Sequence, residues 1–127
     1  MTTRQQQYAS SAHQKVEALT NQDKAFKTRY GSIAHRLPVL IRSAGLAQAL
    51  AYVDARGKDE GQKLLDDLAM VIGVEGVKNR NDLISRSRTT ALLEYMYLTD
   101  QCLDALLWFK RFAQTILKVE PGEGGQP

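Results

Sequence analysis

Apolar residues recur along most of the chain at alternating steps of three and four positions, which places them on one face of an α-helix. Residues 3–19 have such a stripe in Tyr8, Ala12, Val16 and Leu19. Further stripes run over 23–56 and 59–72, and the strongest repeat covers 92–116, with Leu92 as its first apolar member. We predict helices over all four stretches, the last being one helix or two helices nearly in line.

The stretch 23–56 contains signals that divide it. Asp23 is a suitable N-cap, because its carboxylate can accept a hydrogen bond from an unpaired N–H of the first turn. Pro38 has no N–H to donate to the Ala34 carbonyl, so we expect a kink or a short break there. Gly45 follows, and the apolar face then restarts and ends at Gly57. A bent pair of helices is the expected result.

The apolar composition favours helices over strands. Ala and Leu together number 30, against 12 for Val and Ile, and the first pair has the higher helix propensity. The stretch 73–81 contains two glycines and is predicted as a loop, and 121–127 contains no apolar side chain other than proline. We therefore predict an all-α fold, a single compact bundle of five or six helices over 1–120 with a Pro-kinked second helix, followed by a disordered C-terminal tail at 121–127.

Several classes of protein are not supported by the sequence. The longest uninterrupted apolar runs, such as Ala105–Phe109, have five residues, whereas a membrane-spanning helix needs roughly 20. The first residues lack the apolar core of a secretory signal, and the single Cys102 cannot form an internal disulfide. We expect a cytoplasmic protein without membrane contact.

The sequence also lacks a recognisable active site. Cys102 occupies a position in an apolar stripe, which predicts a buried and inert thiol. His13 and His35 have no metal-ligating neighbour at helical spacing and are interpreted as surface residues. The adjacent Asp66 and Asp67 diverge by about 100° on a helix and are interpreted as a solvated face. We predict no catalytic residue, no metal and no cofactor.

Positive charge is concentrated in the first part of the chain. The net charge is +3, but residues 1–56 contain eight basic and three acidic residues, a net of +5, and the rest contains nine and eleven, a net of −2. No acidic residue lies between Lys24 and Ser43. On a helical projection the cations flank the apolar face on two edges, one of which forms a stripe about 25 Å long. Such a stripe suits the phosphates of a nucleic acid, since each cation that meets a phosphate releases counterions.

We select two basic clusters as candidate RNA-backbone contacts, while an ordinary solvated helix face remains the alternative for each. The first cluster contains Lys24, Lys27, Arg29, Arg36 and Arg42. The second contains Lys78, Arg80, Arg86 and Arg88, accompanied by serine and threonine hydroxyls that can also donate to phosphate oxygens. Lys110 and Arg111 are less favoured candidates. Tyr52, Trp108 and Phe112 could stack on bases, but their spacing favours the core.

Two stretches resemble the small α-helical subunit of type III-B CRISPR effector complexes, the Cmr small-subunit family. In 30–52 the pattern is Leu-Pro-x-Leu-Ile followed by Gly-Leu-x-Gln-x-Leu-Ala-aromatic, and 95–113 is similar to the family's C-terminal helix. The similarity spans nearly the whole chain. Ala44 stands where a polar residue is expected before Gly45, and Phe109 stands where Leu is commoner.

The resemblance implies a non-catalytic subunit in antiviral defence, present in several copies that stack into the minor filament of a multisubunit complex. Its implied partners are the CRISPR RNA–target RNA duplex, other subunits of the complex and copies of itself. The basic residues would then bind RNA backbone without reading sequence, because base pairing supplies specificity in guided effectors. The alternative is a helical adaptor whose basic faces contact acidic partner subunits instead of RNA.

Overall fold

Six α-helices form the protein in a computed structural model that describes residues 2–123. They are α1 (Arg4–Glu17), α2 (Lys24–Ala44), α3 (Leu46–Arg56), α4 (Lys58–Ile72), α5 (Arg80–Thr89) and α6 (Leu92–Thr115). No strand occurs within these residues. The predicted all-α bundle is confirmed, and α6 is one helix, the first of the two outcomes expected for 92–116.

The helix starts follow local capping signals. Thr3 and Gln6 form a reciprocal capping box at α1, and the Asp23 carboxylate accepts a 2.8 Å hydrogen bond from the Phe26 N–H at the start of α2. α4 begins at Lys58, one residue before the predicted Asp59, with Gly57 at its N-cap. The starts of α1 and α2 depend only on neighbouring residues, whereas Gly57 makes no side-chain capping hydrogen bond to α4.

Pro38 lies inside α2, and the helix continues past it to Ala44. Of the two outcomes expected there, a kink or a short break, the break is absent. A proline inside a helix costs about 3 kcal/mol or more, and burial of Leu37, Pro38 and Ile41 within the bundle offsets that cost. The chain turns instead at Gly45, whose φ of 90° suits a residue without a β-carbon.

The core lies around α2, which packs most extensively against α6, while α1 covers another side of α6. Tyr30, Leu37 and Phe109 are among the large side chains with no solvent exposure. The chain after α6 also belongs to this core, since Leu117 and Val119 are buried. Residues 121–123 form a turn, and the remainder of the predicted tail, 124–127, lies outside the described residues.

Candidate nucleic-acid interface

α2 positions the first basic cluster but is buried on most of its circumference. The buried residues include small ones, such as Gly31 and Ala34, that allow neighbouring segments to approach closely. Arg36 is half-buried, and Lys24 and Arg42 are exposed near the two ends of the helix. The cations of α2 are therefore presented at separate places around a central helix.

The C-terminal segment covers the middle of the edge where a basic stripe was predicted. The His35 Nε2 lies 2.8 Å from the Val119 carbonyl oxygen, so this nitrogen donates. A β-carbon on Gly31 would come within 2.7 Å of the Val119 β-carbon. The prediction of His35 as a surface residue is wrong, since it is 6% exposed, and the stripe is interrupted between Lys27 and Arg42.

Two cations of the first cluster have partners within the protein. Arg29 is paired with Glu60 at 3.5 Å and donates to the Arg56 carbonyl oxygen at 3.2 Å. The Lys27 Nζ donates to the Thr20 carbonyl oxygen at 3.4 Å. For Lys24, Arg36 and Arg42, the part of the chain that the structure describes supplies no side-chain partner. These three are the members of the cluster most available to an external anion.

The second cluster is divided in the same way. Arg80 joins three helices, because its guanidinium contacts Asp54 of α3 and Asp66 of α4, each at 3.1 Å, from the start of α5. The Arg86 guanidinium donates to the Glu75 carbonyl oxygen at 3.1 Å. The side chains of Lys78 and Arg88 are exposed and have no partner among residues 2–123.

The adjacent carboxylates Asp66 and Asp67 have internal roles, so their interpretation as a solvated face is wrong. Asp67 is 0% exposed. It accepts a 2.7 Å hydrogen bond from the Tyr30 hydroxyl and a 2.8 Å one from the Lys63 ammonium. Burial raises the pKa of the Asp67 carboxyl, and these two donors oppose the shift.

Lys110 and Arg111, the less favoured candidates, line an open cavity of about 400 Å³ with Trp108, Gln5 and His35. A second cavity of about 390 Å³ adjoins it and is lined by Arg36, Tyr52 and His35 among others. Sequence reasoning did not connect these residues, which come from four helices. The only local signal was the basic pair Lys110-Arg111 close to Trp108.

The chemistry available at these surfaces is anion binding. Within the described residues no three His, Cys, Asp or Glu side chains are grouped so that they could hold a metal ion. Cys102 is buried as predicted, and burial raises the pKa of its thiol to about 12. A thiol in that state is a poor nucleophile at neutral pH.

A different kind of surface lies at the start of α6. Leu92 and Leu93 are 73% and 76% exposed, and Met96 and Tyr97 are also largely exposed. The sequence predicted Leu92 as part of the buried stripe, which is wrong for this first turn. Four large apolar side chains at one helix end form a patch of the kind that protein partners cover.

Comparison with known proteins decides the family. A family model described as CRISPR-associated protein (Cas_Cmr5) matches residues 4–116. The chain belongs to the Cmr5 family. The resemblance to the Cmr small-subunit family inferred from the two motifs is thereby confirmed.

The similarity to the Cmr5 family holds for both sequence and fold. A Thermus thermophilus protein named CRISPR system Cmr subunit Cmr5 is 43% identical over 119 residues, which are 93% of this chain and 99% of that protein. The crystal structure of a CRISPR-associated Cmr5 family protein from the same species is 42% identical. It superposes with a TM-score of 0.83, covering 91% of this chain and 98% of the other.

In the range 2–123, no helix has the length and apolar character needed to span a membrane.

Proposed function

We propose that this Cmr5 family chain is a non-catalytic structural subunit of a type III-B Cmr complex in antiviral defence. In this role it stacks with copies of itself in the minor filament, contacts other subunits, and binds the backbone of the CRISPR RNA–target RNA duplex or of the target RNA in the cytoplasm. The membership of the Cmr5 family carries this proposal, and a relative's name supports the assignment to a Cmr complex.

The distribution of partnered and unpartnered cations supports RNA-backbone binding. Lys24, Arg36 and Arg42 of the first cluster and Lys78 and Arg88 of the second have no side-chain partner within 2–123. A cation without an internal partner loses no ion pair when it binds a phosphate. Backbone contacts carry no sequence information, which suits a subunit of a guided complex.

The test is the salt dependence of RNA binding. Lys24→Gln/Arg42→Gln removes two exposed cations from α2, and fluorescence anisotropy with a labelled single-stranded RNA measures affinity at several salt concentrations. Log affinity falls as log salt rises, and loss of two phosphate contacts makes this negative slope shallower by about 1.4, since each single-strand contact contributes about 0.7. Affinity falls equally for RNAs of different sequence.

The matched control is Lys58→Gln/Lys118→Gln, which removes the same charge from two exposed lysines outside both clusters. This variant keeps the slope of the unmodified chain. Equal slopes for the two double variants contradict RNA-backbone binding by α2.

A helical adaptor without RNA contact is the second candidate, and the exposed apolar patch of Leu92, Leu93, Met96 and Tyr97 favours it. Photo-crosslinking of the assembled complex separates the two functions. RNA crosslinks to the segment 24–42 support the first, and crosslinks to protein alone support the second.

A further inference from the structure

The two adjoining cavities share two lining residues, His35 and Pro121. The first cavity extends from them to Trp108 and the second to Tyr52. The two cavities therefore adjoin, and each is lined by one of these two aromatic side chains. Their lining comes from α1, α2, α3, α6 and the C-terminal segment, so no single stretch of sequence contains it.

Positive charge accompanies each aromatic side chain. Lys110 and Arg111 line the cavity of Trp108, and Arg36 lines that of Tyr52. None of the described lining residues is acidic. Glu120 lies close by, where it accepts a 3.1 Å hydrogen bond from Gln114 of the first cavity. The cavities themselves therefore present cations and amides to a ligand.

The aromatic side chains are held by internal contacts. The Trp108 Nε1 donates a 2.8 Å hydrogen bond to the Gln5 Oε1, and the indole stacks on Phe112 with ring centres 5.9 Å apart. The guanidinium of Arg56 lies 5.9 Å from the centre of the Tyr52 ring. Rings that are already oriented lose little conformational entropy when a ligand stacks on them.

We infer that the two cavities form one site for unpaired RNA nucleotides, in which Trp108 and Tyr52 stack on bases while Arg36, Lys110 and Arg111 bind the adjoining phosphates. The inference rests on the proposed RNA-binding function and adds a ligand class to it. Stacking platforms next to a positively charged groove are how proteins bind single strands without sequence preference. Bases inside a duplex are already stacked and are not available to these rings.

Trp108 provides a direct readout because it is the only tryptophan in the chain. The full chain is titrated with a single-stranded uridine dodecamer, and indole fluorescence is followed together with anisotropy of the labelled RNA. Stacking of a base on the indole gives saturable quenching that parallels binding. An abasic ribose-phosphate oligomer of equal length and a fully paired RNA duplex give little quenching.

Charge variants test the cations of the cavities. Lys110→Gln/Arg111→Gln weakens binding of the dodecamer, whereas Lys58→Gln/Lys118→Gln retains its affinity because neither residue lines a cavity. Tyr52→Ala lowers affinity about five- to 150-fold, the range for loss of one stacked base. Tyr52→Phe, which keeps the ring, retains affinity.

The outcomes distinguish this inference from the function on which it rests. Anisotropy that reports binding without any change in Trp108 fluorescence overturns the stacking site and leaves backbone binding intact. Equal quenching by the abasic oligomer or by the duplex also overturns it. Absence of binding in both signals contradicts the proposed function as well.

Discussion

The Tyr30 hydroxyl and the Asp67 carboxylate are joined by a 2.7 Å hydrogen bond between α2 and α4, although 37 residues separate them in the chain. Both side chains are fully buried. Lys63 completes the network by donating to the other oxygen of Asp67. A buried carboxylate depends on such donors because its desolvation is otherwise uncompensated.

Removal of the Tyr30 hydroxyl lowers the stability of the protein. Tyr30→Phe leaves Asp67 with Lys63 as its remaining donor, and the free energy of unfolding falls by about 1–3 kcal/mol. Urea denaturation measures the change. Tyr52→Phe is the control, since the Tyr52 side chain is exposed, and equal midpoints for the two variants contradict the role assigned to the Tyr30–Asp67 bond.

The Asp67 carboxyl makes stability depend on pH. Its pKa is raised by burial above the ordinary 3.8, so the folded protein retains this proton to higher pH than the unfolded chain. The stabilising contribution is complete below pH 3.8 and is lost as pH rises through the raised pKa.

Asp67→Asn lacks this titration, while the other titrating groups are common to both proteins. The difference in the free energy of unfolding, unmodified chain minus Asp67→Asn, therefore decreases as pH rises above 3.8 and then levels off. Urea denaturation from roughly pH 3.5 to pH 7, a range that extends above the ordinary carboxyl pKa, tests the sign. A difference that increases with pH argues against a raised pKa.

The contact between Gly31 and Val119 holds the C-terminal segment against α2. In Gly31→Ala the new β-carbon would lie 2.7 Å from that of Val119, so the segment is displaced, at a cost of about 1–3 kcal/mol. Trypsin then cleaves after the exposed Lys118 faster than in the unmodified chain. In a double-mutant cycle with Val119→Gly, which removes the opposing β-carbon, the two effects are less than additive. If the two changes in the free energy of unfolding are strictly additive, the close contact between the two β-carbons is not the cause of the destabilisation by Gly31→Ala.

Arg80 and Arg88 belong to the same predicted cluster but have different surroundings. Arg80→Ala leaves Asp54 and Asp66 without their shared cation and lowers stability by ~1 kcal/mol, a modest value because the pairs are partly exposed. Arg88→Ala changes stability by less than about 0.5 kcal/mol but weakens RNA binding more than Arg80→Ala does. Denaturation and RNA anisotropy on both variants check this contrast, and the reverse order of RNA affinities would show that Arg80 exchanges its internal partners for phosphate.

The Cys102 thiol reacts with external reagents only when local or global unfolding exposes it. Burial raises the pKa of its thiol to about 12, so the thiolate is scarce at neutral pH and the sulfur has no solvent access. A thiol-specific reagent modifies the unfolded chain rapidly in urea. It modifies the folded chain more slowly, at a rate limited by the unfolding that exposes Cys102. Fast labelling without denaturant would contradict the buried position.

Much of the fold could be predicted because helices leave a local signature. The 3.6-residue period of the apolar positions places α1, α2, α4 and α6 close to their observed bounds, and Asp23 marks the start of α2 through its own side chain. The two motifs that indicated the family are also read from consecutive residues. The sequence predicted five or six helices, but α5 at Arg80–Thr89 lies outside the four stretches that it placed.

The candidate site could be predicted only as a set of residues. The sequence places Arg29 and Arg80 among the cations, but their acidic partners Glu60, Asp54 and Asp66 lie on other helices. Whether a cation is paired depends on those contacts between helices. The separation of paired from unpaired cations therefore came from the structure.

By itself the sequence determined the helical fold, the family and the residues from which a binding surface can be formed, because period, capping and motif are properties of neighbouring residues. Only the tertiary structure decided that α2 is central, that His35 lies beneath Val119 and that Trp108 and Tyr52 face adjoining cavities. Burial is set by segments distant in the chain, and a helical projection shows each helix without the others that cover it.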